Sequence, residues 1–216
     1  MSRTRIKVCG LTRPEDVAAA VSAGVDAVGF VFYPPSPRNI SFDRAAELAA
    51  LLPPFVTAVG LFVNPQPDFV AKALGRVPLQ LLQFHGNESD AQCAELSVIR
   101  GAEHRLHWIK AVRMCPGVNL IKSSASHPRA CGLLLDAFAQ GYGGSGKTFD
   151  WSWVPAGGVG RPLVVSGGLD PSNVAEAIRK LRPWAVDVSS GVEISKGIKD
   201  AAKIAAFVAG VRNADG

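Results

Sequence analysis

Long apolar runs are missing from this chain. No stretch approaches the roughly 20 uninterrupted apolar residues that a membrane span needs, so no membrane partner is expected. Cysteine is sparse. Cys9, Cys93, Cys115 and Cys131 form no C-x-x-C pair and match the spacing of no zinc site, so no metal is expected. Reduced thiols fit a cytosolic protein. Charge is also modest, at 19% of residues against 48% apolar, which is a globular composition rather than a disordered one. The net charge of +5 is scattered. Without a Lys/Arg block and interleaved aromatics, nucleic acid is not an expected partner, and the charge reads as mild attraction for small anions. Met1–Arg5 runs straight into strand-like residues with no sign of a signal peptide, which makes the cytoplasm the expected location. Linkers and low-complexity tracts are absent as well, so residues 1–216 are expected to form a single domain.

What is present is a repeating unit: a short apolar run, a loop rich in Gly, Ser, Asn or Pro, then an amphipathic stretch. Strands are expected at Arg5–Cys9, Asp26–Phe32, Phe55–Val63, Leu79–Phe84, Arg105–Val112, Gly132–Asp136, Pro162–Ser166 and Trp184–Ser189. Helices are expected at Pro14–Ala23, Phe42–Leu51, Gln66–Leu74, Glu88–Arg100, more weakly Pro116–Ser124, then Pro171–Leu181 and Asp200–Val211, with a short turn near Asp150–Val154. Thr12, Ser41 and Asp170 stand where helix caps belong. The strand runs are apolar almost throughout, as buried parallel strands are. Eight alternating units and no second domain favour a closed (β/α)8 TIM barrel over its rival, a doubly wound sheet.

Chemistry in such a barrel sits on the loops that follow the strands. Cys9 closes the first strand beside Gly10. Alternation places Arg5, Lys7 and Cys9 on one strand face, so an inward face would set the Lys7 ammonium below the thiol and favour the thiolate. The alternative is a buried, inert cysteine. Asp136 follows Leu133-Leu134-Leu135, where desolvation would help the carboxyl keep a proton. It could equally be a cap or a partner for Lys147 or Arg38. A base and an acid at one mouth would serve proton transfer. Arg38, in the proline-stiffened loop Tyr33–Ile40, offers a fixed fork for a substrate carboxylate, or is a surface arginine. His85, closing the fourth strand, looks into the mouth or is structural.

Two late loops suit a phosphate: Ser166, Gly167 and Gly168 after the seventh strand, and Asp187, Ser189, Ser190 and Gly191 after the eighth. A third stretch, Gly141–Thr148, matches G-x-x-x-x-G-K-[ST]. The residues after it, with two tryptophans and Pro155, do not make the helix a P-loop opens, so it reads as a chance match and a cover over the mouth.

Taken in order, the segments Lys7–Thr12, Gly29–Arg38, Gln83–Gly86, Leu135-Asp136 with Gly143–Trp151, Ser166–Leu169 and Asp187–Glu193 followed by Gly197–Asp200 make the chain resemble the phosphoribosylanthranilate isomerase family of tryptophan biosynthesis. The likeness spans nearly the whole chain. It implies a single-domain barrel, monomeric or homodimeric, and a phosphorylated small-molecule substrate, with no cofactor. The implied reaction isomerises N-(5′-phosphoribosyl)anthranilate by an Amadori rearrangement, with Asp136 as general acid and Cys9 as general base. Arg38 would hold the anthranilate carboxylate and the two late loops the phosphate. Two alternatives stand beside it: a different phosphate-binding barrel lyase or synthase, and a P-loop nucleotide-binding protein.

Overall fold

The computed structural model describes residues 3–99, 105–137 and 148–216. Eight parallel strands close into a barrel: β1 Arg5–Cys9, β2 Ala27–Phe32, β3 Thr57–Phe62, β4 Leu81–Phe84, β5 His107–Met114, β6 Gly132–Ala137, β7 Leu163–Val165 and β8 Ala185–Val188. Closure is the pairing of β1 with β8, where Lys7 stands opposite Asp187. The helices α1 Pro14–Ala23, α2 Phe42–Ala49, α3 Pro67–Arg76, α4 Asp90–Leu96, α5 Leu120–Ser126, α6 Val174–Leu181 and α7 Ala201–Asp215 fill the connections. Among the described residues the β6–β7 connection carries only a 3-10 turn, Trp151–Trp153. A short hairpin, β9 Glu193–Ser195 and β10 Ile198–Lys199, follows β8. It was not expected from the sequence.

Two apolar surfaces build the barrel. Outward-facing side chains pack under the helices, with Phe32, Phe42, Phe62, Phe69 and Phe84 in a chain of ring contacts 4.9–6.4 Å apart. Inward-facing Ile109, Ala111, Leu134, Val164 and Ala185 plug the barrel's lower half. Strands buried on both faces explain why the apolar runs showed no alternation.

Helix starts follow local chemistry, with two departures. The Ser41 hydroxyl accepts from the Arg44 N–H, as expected, and Ser89 with Gln92 forms a full capping box that delays α4 to Asp90. Thr12 does not cap α1. Its hydroxyl donates to the Gly197 carbonyl at 2.7 Å and so ties the first loop to the hairpin. Asp170 caps a turn at residues 171–173 rather than α6, accepting from the N–H groups of Ser172 and Asn173. No helix among the described residues is long and apolar enough to cross a membrane.

Candidate active site

Strand alternation carries Cys9, Gln83, His85, Asp136, Ser166, Asp187 and Ser189 to the upper interior of the barrel, around one cavity at the C-terminal ends of the strands. Cys9 and Asp136, on β1 and β6, therefore line the same cavity, as does Arg38 from the β2 loop. Gly29 on β2 makes the room: a Cβ there would lie 2.6 Å from the Cys9 Sγ and 3.1 Å from the Lys7 Nζ.

Lys7 lies on the inward face beneath Cys9, but it does not act as a free cation. Its ammonium donates to Asp187 Oδ1 at 2.8 Å, and both side chains are buried. Burial works against the charge on Lys7, yet Asp187 carries its pKa above the ordinary lysine value. The Cys9 thiol is pushed up as well. Burial is the largest cause, Lys7 offsets part of it, and Asp187 works in the opposite direction. Lys7 thus favours the thiolate in the expected direction, but burial outweighs it, and Asp187 adds to the effect of burial.

Asp136 is neither a helix cap nor a partner of Arg38. Its Oδ2 lies 2.9 Å from His85 Nε2, and His85 Nδ1 lies 2.9 Å from Gln83 Nε2. His85 is thus committed to the carboxyl group. The residues expected to bind phosphate line a second recess that opens beside Asp136: Ser166, Gly167 and Gly168 from the β7 loop face Asp187, Ser189 and Ser190 from the β8 loop. Gly191 lies in the seam between these loops, where a Cβ would meet the Leu169 carbonyl oxygen at 2.0 Å. Ser166 Oγ donates to Asp187 Oδ2 at 3.2 Å, and Ser189 Oγ donates to the Cys9 carbonyl at 3.0 Å. Asp187 consequently serves to hold Lys7 and Ser166, and Ser189 ties the recess to the Cys9 backbone. Gly141–Lys147 lies outside the described residues, as does any cover it would form. After it come buried Phe149 and the 3-10 turn, not a P-loop helix. Among the described residues no three His, Cys, Asp or Glu side chains are grouped as metal ligands would be.

Residues 6–210 match the family model for N-(5′-phosphoribosyl)anthranilate (PRA) isomerase. The chain belongs to that family. An N-(5′-phosphoribosyl)anthranilate isomerase of Dechloromonas aromatica is 55% identical over 213 residues, 99% of this chain and 98% of its own. A phosphoribosyl anthranilate isomerase solved in complex with reduced 1-(o-carboxyphenylamino)-1-deoxyribulose 5-phosphate superposes with a TM-score of 0.84 at 39% identity, covering 97% of this chain and 99% of its own. A second structure, of monomers generated from the dimeric isomerase of Thermotoga maritima, gives a TM-score of 0.83 at 38% identity with the same coverage.

Within this member of the family, Arg38 is buried and fixed. Its Nε and Nη2 donate to the two carboxylate oxygens of Glu193, each at 2.7 Å. Lys199 donates to the same Oε1 at 2.8 Å and to the Ser189 carbonyl at 3.0 Å. Burial would raise the Glu193 carboxyl, but its bonds from Arg38 and the charge of Lys199 carry it below the ordinary glutamate value. Lys199 also falls below its ordinary value, because burial there outweighs Glu193. The sequence alone assigns Glu193 and Lys199 no role. Both sit in the unexpected hairpin, and only Gly197, at φ 82, marks its turn.

Proposed function

We propose that this chain isomerises N-(5′-phosphoribosyl)anthranilate to 1-(2-carboxyphenylamino)-1-deoxyribulose 5-phosphate, a step of tryptophan biosynthesis, by acid–base catalysis without a cofactor. One observation carries the mechanism: a thiol and a carboxyl, 127 positions apart by 136 − 9, line one cavity whose far side is a recess of Gly and Ser loops. With the phosphate in that recess, the ribose lies between the two groups. Asp136 gives its proton to the ring oxygen, the bond from that oxygen to C1′ breaks, and the nitrogen lone pair forms the Schiff base. Cys9, as thiolate, takes the C2′ proton. The electrons move toward nitrogen, and the enolamine tautomerises to the ketone. Ionising a buried thiol is the demanding part, so the thiolate is a minor form supported by Lys7 and Lys199. Arg38 meets the anthranilate carboxylate with Nη1, the nitrogen Glu193 leaves open.

All residues named come from one chain, so a monomer and a homodimer suit the site equally. Free thiols at Cys9, Cys93, Cys115 and Cys131 suit a cytoplasmic location.

The test is loss of anthranilate-type fluorescence when the protein meets phosphoribosylanthranilate. Cys9→Ala and Asp136→Asn should each lower kcat by about 100- to 10,000-fold, the span of one acid–base group, with substrate binding largely kept. Near-parental rates in either variant would remove that residue from the mechanism.

A further inference from the structure

Gln83 lies on β4, fully buried, two residues before His85. Its amide nitrogen donates to His85 Nδ1 at 2.9 Å, while its Oε1 is buried with no hydrogen-bond partner among the described residues. A buried amide oxygen without a partner is rare, and here one half-turn of the amide would bring it onto the same ring nitrogen. The backbone that carries the ring is held from below: Lys110 donates to the carbonyls of Phe84 and Gly86, on either side of His85, and pairs with Glu88 at 3.1 Å.

We infer that Gln83 is a positioning residue that sets the tautomer of His85 and, through it, the protonation of Asp136. In the observed arrangement the amide N–H points at Nδ1. A neutral ring then carries its proton on Nε2 and donates it to Asp136 Oδ2, the arrangement that suits a carboxylate. With the amide turned, Oε1 accepts from Nδ1–H, Nε2 becomes an acceptor, and Asp136 donates to it as a carboxylic acid. The two states differ by one proton. The Nε2 proton moves along the 2.9 Å bond to Asp136 Oδ2, and one proton from solvent enters at Nδ1. A substrate that brings a carboxylate and a phosphate into the cavity favours this uptake, because it sets negative charge near Asp136. Other charged groups around the chain of bonds are Arg113, in register with Asp136 on β5, the Lys110–Glu88 pair, and across the cavity Cys9, Arg38 and the Lys7–Asp187 pair.

This inference rests on Asp136 being the acid, and the experiment separates the two. In protein labelled with 15N-histidine, with His85 assigned from a His85→Asn sample, nitrogen shifts report the tautomer near neutral pH. The free protein should show Nε2–H. Protein saturated with reduced 1-(o-carboxyphenylamino)-1-deoxyribulose 5-phosphate should show Nδ1–H, with close to one proton taken up in calorimetry across buffers of different ionisation enthalpy. Gln83→Met, of similar volume, should abolish that switch and lower kcat by about 10- to 100-fold, the usual effect of losing a supporting partner, with KM nearly unchanged. The same tautomer in both states, or parental kcat in Gln83→Met, overturns the role of Gln83. If Gln83→Met does not fold, the tautomers of the unaltered protein decide alone. Asp136→Asn retaining turnover would instead overturn the acid assignment itself.

Discussion

The lower and upper halves of the barrel interior use the same strand faces for opposite ends. Below, Ile109, Leu134, Val164 and Ala185 make a dry plug. Two residues farther along three of the same strands, the inward positions are Asp136 after Leu134, Ser166 after Val164 and Asp187 after Ala185. The upper layer is nearly as buried as the lower, yet it holds charge, because among the described residues its ions are paired: Lys7 with Asp187, and both Arg38 and Lys199 with Glu193. The plug supplies rigidity by packing, while the mouth carries its buried charge in pairs, because one partner left alone would be costly.

Breaking one pair in the mouth should have the largest effect. Lys7→Met leaves Asp187 charged and buried, and should destabilise the fold by about 3–5 kcal/mol in denaturant titration. Adding Asp187→Leu should recover much of this while turnover stays lost. Recovery of turnover in the double variant would mean that the pair has no part in the chemistry. In the plug, Leu134→Ala should lower stability by about 2–5 kcal/mol, with kcat close to the parent's, because it opens a cavity without touching a charge. A matching collapse of kcat would show that the two layers are not separable.

The smallest expected effect sharpens the comparison through pH. Glu193→Gln loosens the grip on Arg38 and should raise KM by about tenfold, as loss of an orienting partner does. The Glu193 carboxyl is depressed in the folded protein, so its stabilising contribution is present above the ordinary value of 4.5 and disappears as pH falls through the lower folded value. The stability gap between the parent and Glu193→Gln should therefore narrow on acidification below about pH 4.5 in urea melts. A gap that is constant with pH would mean that Glu193 contributes packing and not charge.

Much of this was readable in one dimension. The first strand and first helix fall within their expected bounds, and the other strands differ by one or two residues at their ends, where loops fray. Cys9, Asp136, Ser166 and Ser189 stood out in the sequence because a polar residue closing an apolar run has few reasons to be there. The hairpin after β8 was not legible: three residues and two residues are too short to show a period. Thr12 looked like a cap because its partner, the Gly197 carbonyl, is 185 positions away.

Hydrophobic patterning and loop composition, both local, were enough to set the alternating units, their order and the strand ends that carry reactive groups. Which group meets which was decided only by closure. The register of β1 on β8 puts Lys7 against Asp187, and barrel curvature brings β4 and β6 close enough for His85 to reach Asp136. Such pairings depend on the relative shift of strands far apart in the chain, and a shift of one residue would turn every inward side chain outward.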